Sequence, residues 1–189
     1  MTNKLLYHKS IAMKPIDRLE SRVMKYIKLS GIWESASKSS TAFYVMPQLM
    51  NYMPELQYAF DGFRVLGAAA YIMFDHYPGG PHKDDSRITA RINVPILNCD
   101  DTITEFWQLK PGSEPVIKTQ INGLKYEDYA GCDLELVDQV CVNQPTILRI
   151  REIHSIRMLS ELRPRITMTL RVTPDPVHLL EEHYVDTVN

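Results

Sequence analysis

Arg165-Ile166-Thr167-Met168-Thr169-Leu170-Arg171 alternates strictly between polar and apolar side chains. A period of two belongs to a β-strand, whose successive side chains point to opposite faces. Arg165, Thr167, Thr169 and Arg171 therefore share one face, and Ile166, Met168 and Leu170 share the other. Two readings of the polar face are open: it meets water, as on an ordinary half-exposed strand, or it lines the interior of a closed β-structure. In both cases the apolar face needs a sheet and a core to bury it, and the chain upstream supplies the strands.

From Phe63 onward the sequence breaks into short apolar runs cut by turn residues. Phe63–Phe74, Ile88–Leu97, Thr102–Leu109, Val116–Ile121, Asp133–Val137, Pro145–Arg151 and Arg165–Thr173 read as strands. Pro95 inside its run points to an edge strand or a bulge. Asp75–Ser86, which contains Tyr77-Pro78-Gly79-Gly80-Pro81, reads as a loop. Before Phe63 the texture is helical. Ile16, Leu19, Val23, Tyr26 and Ile27 recur at helical spacing over Pro15–Leu29, and Leu49, Met50, Met53, Leu56 and Phe60 do so over Pro47–Phe60. The expected architecture is mainly β with N-terminal helices. One domain spans 1–189, with a helical layer over 1–62 on an outer face of a jelly-roll core over 63–175. A tail over 176–189 begins with a short helix.

The 189 residues suffice for one sizeable core, and 44% hydrophobic with 23% charged residues is ordinary globular composition. A net charge of −2 and the lack of a basic stripe interleaved with aromatics argue against a nucleic-acid partner. No run approaches the length of a membrane span, and the first residues lack the apolar core of a signal peptide. Cys99, Cys132 and Cys141 are odd in number and have no Cys-x-x-Cys spacing, which fits a reducing cytoplasm rather than a disulfide framework or zinc ribbon.

Among six histidines only His82 has an acid two residues later, in His82-Lys83-Asp84. With 23 acidic residues in the chain, that pair alone is close to what chance supplies. Its setting raises it: the pair follows a strand and a Gly/Pro turn, and alternate residues in extended chain point to the same side. His154, in Ile153-His154-Ser155-Ile156, lies between a strand and the final strand, where it can return to the same mouth. Two imidazoles and one carboxylate are the ligand set of an open non-haem Fe(II) site. His76 is close enough to the loop for a supporting role, whereas His8, His178 and His183 read as surface or packing residues. If the polar face of 165–171 lines the interior, the Arg165 fork can take a carboxylate bidentately, with Thr167 adding a hydroxyl. Arg163 is its nearest competitor.

Together these residues resemble the 2-oxoglutarate/Fe(II)-dependent dioxygenase superfamily over roughly residues 63–173. Tyr77-Pro78-Gly79 before His82-Lys83-Asp84 looks like the approach to the first two ligands in prolyl-hydroxylase-like members. Ser86 to Ile96 is similar to the following strand of aspartyl/asparaginyl β-hydroxylase-like proteins. Asn143-Gln144-Pro145, His154 and Pro164-Arg165-Ile166 match that group's last strands, including small phage and bacterial members. The resemblance implies a double-stranded β-helix of cupin-like, jelly-roll type. It implies Fe(II) on His82, Asp84 and His154. It also implies 2-oxoglutarate held at its distal carboxylate by Arg165 and Thr167, with Arg87 or Arg171 assisting. Molecular oxygen would be the oxidant, and a C–H bond of the substrate would be hydroxylated with release of succinate and CO2. Asp84 departs from the β-hydroxylases proper, which lack the carboxylate ligand, and moves the comparison towards members with a full triad.

The substrate class stays open between an amino acid, a peptide residue and a small metabolite. The loops 110–115, 123–131 and 44–52 are the expected substrate elements, with Trp107, Tyr126 and Tyr129 as pocket residues. A nucleic-acid oxidative demethylase, a non-catalytic barrel and a zinc hydrolase are the alternatives.

Overall fold

Twelve strands are formed among the described residues. A computed structural model describes residues 5–38, 41–74, 80–84, 88–119 and 125–181. The elements run β1 (His8–Ser10), α1 (Leu19–Leu29), α2 (Ile32–Ala36), β2 (Thr41–Val45), α3 (Leu49–Tyr52) and a 3₁₀ helix Pro54–Tyr58. There follow β3 (Arg64–Met73), β4 (His82–Asp84), β5 (Ala90–Leu97), β6 (Thr102–Leu109), β7 (Val116–Thr119) and β8 (Lys125–Asp128). The chain ends with β9 (Leu134–Cys141), β10 (Thr146–Arg149), β11 (Ile153–Met158), β12 (Arg165–Thr173) and a 3₁₀ helix Pro176–Leu180.

The strands pair into two six-stranded sheets, ordered β1-β10-β5-β12-β3-β2 and β7-β8-β4-β11-β6-β9, with every pairing antiparallel. Setting aside β1, β2, β7 and β8, the chain steps from one sheet to the other at each strand. The exception is the β6–β9 pair, which stays in one sheet. That winding is a double-stranded β-helix of jelly-roll type, the expected fold.

The apolar face of β12 decides which side of the first sheet meets the helices. Ile166, Met168 and Leu170 join Ile92, Val94 and Ile96 of β5 and Ala70 and Ile72 of β3 in one core with Val23 and Ile27 of α1, Leu49 and Leu56. Burying each of these large aliphatic side chains is worth roughly 1.5–3 kcal/mol. The helical layer therefore covers the outer face, and the polar face of β12 is turned inwards. A smaller core of Phe106, Val142, Leu148 and Ile150 fills the space between the sheets beneath the site described below.

Several expected boundaries are corrected. Helix α1 begins at Leu19 rather than Pro15 because Arg18 adopts the left-handed conformation (φ 51°), which no α-helix continues through. Ile16 and Met13 instead pack from extended chain against the core. The helix expected over Pro47–Phe60 breaks at Met53 (φ −136°, ψ 73°), since the residue before Pro54 is driven out of the helical region. The stretch read as a loop over Asp75–Ser86 contains β4, and Tyr44–Tyr52, also read as a loop, holds the end of β2 and all of α3. Strand β8 lies within the expected loop 123–131. Pro95 sits in a central strand, not an edge. Its partner Thr167 adjoins a register shift between Ile166 and Thr167, the bulge that accommodates a missing N–H. The N-terminal stretch is not purely helical, since β1 and β2 extend the first sheet on its two edges. Among the described residues no helix is long and apolar enough to cross a membrane, and all three cysteines are free.

Candidate metal centre

Strand β4 is only three residues long, and its alternation puts His82 and Asp84 on one face. Pairing with β11 sets His154 directly opposite His82. A ligand atom from each of His82, Asp84 and His154 falls within 4.8 Å of the other two. His82 Nε2 is 3.8 Å from Asp84 Oδ1, and the two imidazole centroids are 4.6 Å apart. His154 lies within β11 rather than between strands, which fixes its direction more firmly than a loop would.

Both rings are oriented by local backbone. The Nδ1 of His82 is 3.0 Å from the Gly80 carbonyl, and the Nδ1 of His154 is 2.9 Å from the Glu152 carbonyl. A carbonyl only accepts, so each Nδ1 carries the proton and each Nε2 presents a lone pair. Position 80 has no room for a side chain: a Cβ there would lie 2.8 Å from the Ala130 Cβ. Tyr126 stands edge-on to His82, and Phe106 lies 6.4 Å from His154 as an apolar floor.

Burial, reinforced by the neighbouring His82, pushes the His154 imidazole down to about 4, against the opposing pull of Asp84. An unfolded histidine takes up a proton below about pH 6.5, whereas the folded ring resists until about 4. The unfolded state thus binds more protons across that window. The ring's contribution to the stability of the metal-free protein is complete above about pH 6.5 and is lost as pH falls towards 4. Denaturant midpoints of metal-free protein should rise with pH over this interval, and less steeply in His154→Gln. Equal slopes in the two proteins would contradict the assignment.

Arg165 opens β12 on the interior face and is 2% exposed. Its Nε–H donates to Thr102 Oγ1 at 3.0 Å, and Nη1 approaches Met73 Sδ at 3.6 Å. Among the described residues no carboxylate stands within ion-pair distance of it. Burial pushes its pKa down, against the thiols of Cys99 and Cys141 and the hydroxyl of Tyr71. Thr167 is buried on the same face, its Oγ1 3.6 Å from Cys99 Sγ. Arg163, the expected competitor, turns Nη1 to the carbonyls of Ser160 and Leu162, both at 2.8 Å. Arg171 is exposed at the far end of the strand. Arg87 and His76 lie outside the described residues.

Trp107 faces away from His82, Asp84 and His154, its Nε1–H donating to Ser155 Oγ at 2.9 Å. Tyr129 is likewise on the side of Lys83, which sits over its ring, with its hydroxyl bonded to Glu127. Only Tyr126 of the three expected pocket aromatics shares the ligand face. Three interior residues are additions to the sequence reading. Tyr71 pairs with Thr167 and senses both Arg165 and Asp84, its hydroxyl pushed up to about 12, chiefly by burial. Arg91 and Asn93 stand on the inward side of β5. Their signal was the alternation of Ala90-Arg91-Ile92-Asn93-Val94, which has the same two-faced form as β12.

No protein-family model matches this chain, and no curated protein does. Among solved structures the chain is similar to SnoN, described as the non-haem α-ketoglutarate-dependent epimerase from nogalamycin biosynthesis. Identity is 14%, TM-score 0.43, with 96% of this chain and 88% of that chain covered. A second structure of SnoN, in complex with Fe3+, α-ketoglutarate and nogalamycin RO, matches over the same shares at 13% identity and TM-score 0.43. The L-ribose isomerase of Acinetobacter sp. DL28, in complex with L-ribose, matches at 10% identity and TM-score 0.29, over 85% of this chain and 82% of that one. Likenesses this remote transfer no property to this chain.

Proposed function

We propose that this protein is an Fe(II)- and 2-oxoglutarate-dependent oxygenase that hydroxylates a C–H bond of a small-molecule or peptide substrate. The observation that carries the reading is the pairing, in one interior, of an open His–Asp–His set with a buried guanidinium that has no acid partner among the described residues. An isolated buried charge is costly unless an anion arrives to meet it. A dianionic cosubstrate that also chelates the metal meets both needs at once.

The donor set fits a divalent iron: two neutral imidazole nitrogens and one carboxylate, with the remaining positions open. His82, Asp84 and His154 would hold the ion, with both rings already in the tautomer that offers Nε2. When bound, iron would let molecular oxygen act as the oxidant, with two electrons coming from 2-oxoglutarate, which leaves as succinate and CO2, and two from the substrate C–H bond. Arg165 receives the distal carboxylate of the cosubstrate and Thr102 braces the guanidinium through Nε. Thr167, on the same face, is placed to add a hydroxyl. Phe106 excludes water from below. A hydrolytic zinc centre would leave Arg165 without a partner, which disfavours that reading.

Purified protein loaded with Fe(II) should convert 2-oxoglutarate to succinate in the presence of oxygen, with stimulation by substrate. Loaded instead with Mn(II) in the absence of oxygen, it should bind 2-oxoglutarate by calorimetry only when the metal is present. Failure to bind the metal, or 2-oxoglutarate binding indifferent to it, would overturn the reading.

A further inference from the structure

The interior also holds an unsatisfied polar pair on β5. Arg91 Nε and Asn93 Oδ1 are both buried and both lack a hydrogen-bond partner. Two residues apart on one strand, they point to the same side, with Cα atoms about 7 Å apart. Asn93 pairs with Thr169 on one flank and Thr146 on the other, so the pair lies over the sheet's inner face beside β12.

The surroundings say what kind of ligand would satisfy it. The Phe43 ring backs the Arg91 guanidinium, 5.6 Å from its centroid, and leaves the edge of the fork for a ligand. Burial is the chief influence lowering the Arg91 pKa, with Asp84 opposing it and Arg171 adding to it. The fork therefore lies within the field of the metal ligands, yet no carboxylate among the described residues is within ion-pair distance of it. An unpaired buried donor of full charge beside an unpaired buried acceptor calls for a ligand with an anion next to a hydrogen-bond donor. This step rests on the proposed function: with Arg165 given to the cosubstrate and Asp84 to the metal, Arg91 is left as an interior cation open to a further carboxylate.

We propose that Arg91 and Asn93 anchor the α-carboxylate and α-amino group of a free amino-acid substrate, Arg91 taking the carboxylate and Asn93 Oδ1 accepting from the ammonium. The substrate's side chain is then the part presented to the metal ligands. Among the substrates left open by the site, this favours an amino acid over a peptide residue, whose main-chain groups are capped as amides.

The test uses full-length protein with Mn(II) and saturating 2-oxoglutarate, in the absence of oxygen. It is titrated with the proteinogenic L-amino acids, their carboxamides and their N-acetyl derivatives. At least one free amino acid should bind, and its carboxamide and N-acetyl forms should bind about tenfold more weakly or not at all, as expected for losing a hydrogen bond to a charged group. Arg91→Gln should weaken that amino acid about tenfold or more while leaving 2-oxoglutarate affinity within about twofold. Asn93→Val should discriminate less between the free amino acid and its N-acetyl form. Because the capped ligands are tested on unaltered protein, the result does not depend on either variant folding. Equal binding of capped and free forms would overturn the proposal, as would no binding of any panel member by protein that does bind 2-oxoglutarate. Loss of 2-oxoglutarate binding in Arg91→Gln would also overturn it, by giving Arg91 to the cosubstrate. Absence of 2-oxoglutarate binding in the unaltered protein would be a failure of the oxygenase reading itself.

Discussion

Replacing His154 by alanine should abolish tight Fe(II) binding and all turnover of 2-oxoglutarate while leaving the protein folded. The three candidate ligands come from two strands: His82 and Asp84 from β4, and His154 alone from β11. Removing the lone contribution of β11 leaves a two-ligand site on one short strand. The loss should exceed the roughly 10- to 100-fold that removing an outer hydrogen-bond partner of a metal ligand costs. The fold should survive because the ring is neutral and its one local bond, to the Glu152 carbonyl, is to chain that stays in place. Calorimetric titration with Fe(II) or Mn(II) reads the first effect and circular dichroism the second. His178→Ala is the control: that ring bonds the Asp175 carbonyl, stacks on Phe63 and contributes nothing to the ligand set. Metal affinity preserved in His154→Ala would remove the triad from consideration.

Arg165→Met should move cosubstrate binding and fold stability in opposite directions. A bidentate guanidinium–carboxylate contact comprises two charge-assisted hydrogen bonds, each worth about 1.5–3 kcal/mol, so 2-oxoglutarate affinity should fall at least about a hundredfold. Metal affinity should hold, because Arg165 is not part of the ligand cluster. In the ligand-free protein the same side chain is a buried charge satisfied by one hydroxyl and one thioether. Substituting an apolar chain of similar length for a buried ion is commonly neutral or stabilising. The melting temperature without ligand should therefore stay level or rise. The ligand-induced rise on adding Mn(II) and 2-oxoglutarate should vanish. A variant that melts lower without ligand would mean that Arg165 is held for the fold. Unchanged 2-oxoglutarate affinity would mean that another group takes the distal carboxylate.

The β architecture was legible in short apolar runs cut by turn residues, and Thr102–Leu109 and Arg165–Thr173 have the expected bounds. In the second the two faces differ in chemistry rather than in burial: apolar residues pack against the helices and polar residues are buried inwards. Legibility failed where burial is set by the rest of the fold. His82–Asp84 carries no apolar residue, and nothing in its composition marks it as a strand; it is one because β11 and β8 flank it. Lys125–Asp128 was hidden for the same reason. The structure brings His82, Asp84 and His154 together as their spacing and chemistry led one to expect, while Tyr71 was not readable, since one tyrosine in an apolar run looks like core. Arg91 and Asn93 were visible as residues but not as a pair lacking partners, because partnership is a property of the closed barrel. Arg87 stays an expectation from resemblance alone.

The brevity of β4 has a mechanical side. It meets β11 at the single pair His154–His82, while its other edge holds β8, which in turn holds β7. That half of the second sheet is thus joined to the rest of its sheet by very little ladder. An ion bridging His82 and Asp84 to His154 would act as an extra rung at this seam, so filling the centre and closing the sheet would be one event. Stripping the metal would then be felt first as fraying of β7, β8 and β4, while the helix-backed first sheet stays whole.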